Sequence, residues 1–129
     1  MIISTVKIAA SPENRKEILE ILFSVKGPSE GATGCISCFI YQDLENEQAI
    51  TYEEVWQSKK DLDTHLRSDL YRNILAAMDM SSKPPEVRFN TVSTTEGMEL
   101  VKEARGYIDL EEIDKDKRVS GPKWTGHRP

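Results

Sequence analysis

With 129 residues, the chain has the length of one ordinary domain with room for a single hydrophobic core. Its 22 acidic residues outnumber 17 basic ones, and no stretch concentrates Lys or Arg, which argues against a phosphate backbone as partner. Only two cysteines occur, Cys35 and Cys38, and no run of eighteen apolar residues, so neither a disulfide scaffold nor a membrane span is expected. The N-terminal MIISTVKIAA lacks the basic start of an export signal, so the chain reads as soluble and cytoplasmic.

Taken in order, Ile2 to Ala9 is rich in β-branched residues and predicts a first strand. Ser11 can cap a following helix with Pro12 at its first position and Glu13 beside the positive dipole end. Ile18, Leu19, Leu22, Phe23 and Val25 supply its apolar stripe, and Gly27-Pro28 its end. After a loop from Gly31 to Gly34, Cys35 to Gln42 and Ala49 to Gln57 form a hairpin around Asp43 to Asn46. Ser58 and Asp61 have the spacing of a capping box. Leu62, His65, Leu66, Leu70, Ile74, Leu75 and Met78 continue as helix, with a break expected near Ser68-Asp69. Pro84-Pro85 end it, and Val87 to Val92 give a fourth strand.

The order β-α-β-β-α-β specifies an α+β, ferredoxin-like domain with a four-stranded antiparallel sheet and both helices on one face. Residues 1–95 form that domain, and residues 96–129 a C-terminal helix, near Glu96 to Ala104, with an extended tail. The tail is polar, with Tyr107, Ile108, Leu110, Ile113 and Trp124 as anchors by which it is expected to dock, in the manner of a lid. Strict alternation points Ile36, Cys38 and Ile40 to one face and Cys35, Phe39 and Tyr41 to the other. Both sheet faces then bear large apolar groups, which predicts a homodimer formed through the face without helices.

Three residues stand out for chemistry. Trp56 ends the third strand and His65 lies on the next helix, each with a polar tip on an apolar stripe, although core packing alone would account for both. Glu54 shares a strand face with Tyr52 and Trp56, so a carboxylate among apolar groups needs a partner; Arg67, Arg72, Arg88 or a backbone donor could serve. The CISC pair sits on a strand rather than at a helix N-terminus, which favours two small core residues over a redox dithiol. No Cys/His cluster completes a metal site.

The segment from Gly34-Cys35 through Glu54, Trp56 and Ser58 to Leu62, His65 and Leu66 resembles the antibiotic biosynthesis monooxygenase (ABM) domain family. The resemblance implies a dimeric α+β barrel with a pocket between sheet and helices. It further implies a cofactor-free oxidoreductase that uses dioxygen on a small quinol or phenol-like aromatic. In that setting His65 would be the base and Trp56 would hold a substrate or oxygen-derived atom through its N–H. Tyr41 and Tyr52 would orient the ring, and Phe39 and Glu54 would complete the substrate-binding set. Two other readings of the same residues are a non-catalytic ligand-binding module and a haem-degrading protein with His65 as axial ligand. The haem-degrading relatives have an Asn on the first strand that IISTVKIAA lacks.

Overall fold

The fold is described from a computed structural model, in which residues 1–106 are described. The chain divides into two compact units, Met1–Ser93 and Thr94–Pro129. The first unit holds β1 (Ile2–Ala9), α1 (Arg15–Glu30), β2 (Cys35–Gln42), β3 (Ala49–Trp56), α2 (Lys59–Leu66), α3 (Tyr71–Asp79) and β4 (Glu86–Thr91). The four strands pair antiparallel in the order β2-β3-β1-β4. Residues of both helical segments join one core with one sheet face: Ile18 and Leu22 of α1, Ile74 and Ala77 of α3, and Val6, Ile8, Cys38, Ile50 and Tyr52 of the sheet. This is the ferredoxin-like α+β arrangement. The helical segment between β3 and β4 is broken where expected, because the Ser68 hydroxyl donates to the carbonyl of His65 and accepts from the amide of Tyr71.

Three local expectations are corrected. Helix α1 begins at Arg15 rather than at Pro12, since the carbonyl of Ser11 first closes a turn with the amides of Asn14 and Arg15. It also runs through Pro28 to Glu30, and its buried stripe is Ile18, Leu22, Val25 and Ser29, with Phe23 exposed. A proline in the last turn removes one bond that the helix end can spare. The extension matters because it delivers Ser29 to the core.

The third correction is a β-bulge between Cys35 and Ser37. Cys35 faces Trp56 and Cys38 faces Glu54, so both cysteines lie on the helix side of the sheet, and Ile36 is the extra, exposed residue. Burial pushes both thiols up, Cys38 to about 11, which suits neither a nucleophile nor a redox dithiol. The register places Ser37, Phe39 and Tyr41 on the open face together with Ile3, Val55, Thr5, Lys7, Thr51, Glu53, Arg88 and Asn90. That face is mixed rather than uniformly apolar. Val87 and Phe89 point to the helix side of the edge strand β4 and are nevertheless exposed.

The second unit contributes α4 (Met98–Arg105), closed by Gly106 in the left-handed conformation. The expected docking of residues 107–129 lies outside the described residues. Among the described residues no helix is long and apolar enough to cross a membrane, and no group of three His, Cys, Asp or Glu could hold a metal ion.

Candidate active site

At the end of the sheet where Ile2 pairs with Trp56, the α1–β2 loop and α2 enclose a cleft of about 230 Å³. Its walls are Ala32, Thr33, Trp56, Asp61, Thr64, His65, Ser68 and Leu70. The Ser58 capping pair builds one side. Ser58 accepts from the amide of Asp61 and its hydroxyl donates to the Asp61 carboxylate, which fixes the first turn of α2 and so the direction in which His65 projects. Gly34, at φ +84°, passes so close to Asp61 that a Cβ there would lie 2.6 Å from the Asp61 Cβ. Only glycine fits. A larger, open hollow of about 390 Å³ at the opposite end of β1, beside Arg15 and Glu45 to Gln48, contains no buried polar side chain.

Behind the cleft wall lies a buried polar cluster. Glu54 is 0% exposed and His65 is 5% exposed. The Glu54 carboxylate accepts the Tyr52 hydroxyl at 2.7 Å and the Trp56 indole N–H at 3.1 Å, and its Oε2 lies 2.9 Å from His65 Nε2. Tyr52 also bonds the Ser29 hydroxyl at 3.2 Å. The rings of Trp56 and His65 lie 4.6 Å apart, and Tyr71 meets His65 edge-on at 5.5 Å. Burial and the negative charge of Glu54 push the Tyr52 phenol far up and the Tyr71 phenol up to about 12, so both remain protonated donors.

The expected partners of Glu54 are thereby corrected. The donors are not arginines but Tyr52 and Trp56, two residues away on either side along β3, and His65 from α2. The strand alternation that set Tyr52, Glu54 and Trp56 on one face already contained two of them. The Trp56 N–H is committed to Glu54 rather than offered to a ligand. Of the sequence-predicted site residues, His65 and Trp56 line the cleft, and Tyr52 and Glu54 stand behind them. Phe39 and Tyr41, 47% and 48% exposed, lie on the other face of the sheet, because they alternate with Cys38 and Ile40. The structure does not bring these two to the cleft.

From sequence alone Thr33 and Thr64 carried no signal, and Asp61, Ser68 and Leu70 were read only as a cap, a helix break and part of an apolar stripe. The spacing of Asp61, His65 and Ser68 was the available signal, since it sets three polar residues along one side of a helical segment. A haem does not fit these residues. The cleft, below the usual range for drug-sized ligands, has no room for the macrocycle.

Residues 1–77 match the family model described as antibiotic biosynthesis monooxygenase. An uncharacterized protein of Synechocystis sp. is 24% identical over 90 residues, or 69% of this chain, and the match spans 61% of that protein's length. Among solved structures, a conserved protein from Methanosarcina mazei Go1 is 29% identical, with a TM-score of 0.65, over 69% of this chain and 89% of that one. A Deinococcus radiodurans protein assigned as an antibiotic biosynthesis monooxygenase is 18% identical, with a TM-score of 0.68, over 75% of this chain and 97% of that one. A Mycobacterium tuberculosis protein has the same TM-score of 0.68 at 20% identity, covering 74% and 98% of the two chains. The likenesses below 25% identity show the fold alone.

Proposed function

The chain belongs to the antibiotic biosynthesis monooxygenase family, and from that membership and the cleft we propose that it is a cofactor-independent monooxygenase of a small quinol or phenol-like aromatic. The observation that carries the reading is His65 on the wall of a small cleft, with one ring nitrogen bound to a buried carboxylate and the other bound to no described residue. A group able to accept a proton beside a small, mostly apolar cleft supports this chemistry. His65 takes a phenolic proton, and the resulting phenolate, electron-rich enough to reduce dioxygen, forms a carbon–oxygen bond to it. The peroxide so formed takes the proton back from His65. Its O–O bond then breaks as the oxygenated ring carbon loses its hydrogen as a proton and becomes a carbonyl, and the departing hydroxide takes up that proton and leaves as water. A hydroquinone plus dioxygen gives a hydroxyquinone plus water. The substrate supplies all the electrons, so no external reductant enters the balance.

In this reading Trp56 is part of the apolar wall beside the ring, Thr33 brings a hydroxyl to the wall, Thr64 and Ser68 line it with hydroxyls already donated to the carbonyls of Lys60 and His65, and Tyr52 and Glu54 act from behind. Oxygen uptake against a panel of hydroquinones and anthrones, with His65→Ala and Trp56→Phe compared to wild type, tests it. Uptake by wild type that is lost in His65→Ala, with the fold intact, is expected. The tight packing of Trp56 and His65 favours one competing reading, a ligand-binding module, and binding of the same compounds without uptake would establish that instead.

The chain is also proposed to work as a homodimer through the open sheet face, supported by the half-exposed Phe39 and Tyr41. A dimer mass by light scattering is expected, and a monomer at micromolar concentration would refute it.

A further inference from the structure

The cluster behind the cleft contains a determinant of which His65 nitrogen bears the proton. An ionised carboxylate only accepts, and a neutral imidazole has one donor and one acceptor nitrogen. With Nε2 at 2.9 Å from Glu54 Oε2, the proton of the neutral ring belongs on Nε2 and Nδ1 is bare. No described residue bonds Nδ1. The other titratable neighbours, Tyr71 edge-on to the ring from α3 and Asp61 on the cleft wall from α2, make no hydrogen bond to it. Tyr52 reaches His65 only through Glu54.

We propose that Glu54 is a positioning residue that locks His65 in the Nε2–H tautomer, leaving the bare Nδ1 as the proton-accepting atom. This rests on the reading of His65 as the base, and it replaces the expectation that Glu54 touches substrate. Trp56 fixes which way a glutamine at position 54 would turn. Its indole N–H can only donate, and it points at Oε1 while His65 and Tyr52 share Oε2. In Glu54→Gln, which changes almost no volume, the amide carbonyl must therefore turn to Trp56, placing the NH₂ where Oε2 stood. That NH₂ donates to Nε2 of His65, which forces the opposite tautomer, Nδ1–H. Tyr52 has an alternative acceptor in Ser29, so it does not oppose the turn. The base would then have its lone pair tied to residue 54 and its proton on Nδ1.

The test is ¹⁵N NMR of histidine-labelled protein, at a pH where the ring is neutral, on wild type, Glu54→Gln and the double variant Glu54→Gln/Trp56→Phe. Wild type should show the Nε2–H pattern and Glu54→Gln the Nδ1–H pattern. Without the indole the glutamine is free to turn its carbonyl to His65, so the double variant should recover Nε2–H. On any compound that wild type oxidises, Glu54→Gln should lose about 10²–10⁴-fold in kcat, the usual worth of a correctly protonated base, with KM little changed. An Nδ1–H wild type, a Glu54→Gln ring that keeps Nε2–H, or a tautomer switch without loss of kcat would each overturn the proposal. Should Glu54→Gln not fold, the wild-type spectrum still decides which nitrogen holds the proton. An absence of oxygen uptake by wild type would count against the monooxygenase reading alone, because the tautomer is read without turnover.

Discussion

Replacing Gly34 by Ala should damage the cleft wall through two separable effects. The backbone there sits at φ +84°, a left-handed conformation that costs a residue with a Cβ about 1–2 kcal/mol. The added methyl would also lie 2.6 Å from the Asp61 Cβ and closer still to its carboxylate, so Asp61 must leave its place. The Ser58 hydroxyl then loses the Asp61 carboxylate as its acceptor, at a further cost of about 1 kcal/mol, while its bond from the Asp61 backbone amide remains. The total is about 2–3 kcal/mol, read as a lower urea midpoint at unchanged slope. Asp61→Gly alone should cost about 1–2 kcal/mol, from the lost cap contact and the poor helix propensity of glycine. In the double variant the clash is gone and the Ser58–Asp61 side-chain bond is lost only once. The two changes should therefore fall short of additivity by about 1 kcal/mol. A Gly34→Ala cost under about 0.5 kcal/mol, or strict additivity with Asp61→Gly, would refute the stated contact between the β2 entry and α2.

Tyr52→Phe should lower stability by about 2 kcal/mol by urea denaturation, because a buried carboxylate loses a donor and Ser29 loses its partner. A neutral effect would mean that the cluster is held by packing rather than by these bonds. Stability should also fall at alkaline pH. Cys38 is raised from 9.0 to about 11 and Tyr71 from 10.0 to about 12, so between those limits the unfolded chain has released protons that the folded chain still holds. The difference in bound protons makes unfolding easier as pH rises from about 9 to about 12, and Cys38→Ala should flatten the lower part of that decline. A melting temperature independent of pH across this window would contradict the burial assigned to both groups.

How much of this was legible in the sequence depends on whether the signal was local. Ser58 and the break at Ser68 were readable because a hydroxyl capping a backbone amide a few residues on is a local event. The β2–β3 hairpin was readable from its β-rich runs and polar turn. The bulge at Cys35 to Ser37 was not, since nothing in GCISC marks an extra residue, and one unpaired residue reverses the faces of everything before it. Alternation therefore assigned Cys38, Phe39 and Tyr41 to the right sides while misplacing Cys35. The exposure of Phe23 and the passage of α1 through Pro28 are set by where the helix lies on the sheet, a tertiary fact. At the site, His65, Trp56 and Glu54 could each be picked out singly. Their joining into one cluster could not, because the position of His65 against Glu54 depends on the docking of α2 against β3.

The proposed insertion of oxygen into a small aromatic without a cofactor can be followed in one labelled turnover. Metal-free wild-type protein is mixed with a hydroquinone it binds under ¹⁸O₂, and the product is weighed by mass spectrometry. A hydroxyquinone with one ¹⁸O atom, the second appearing in water, is expected, with no labelled product from His65→Ala. Unchanged hydroquinone, or a quinone with no ¹⁸O, would contradict it.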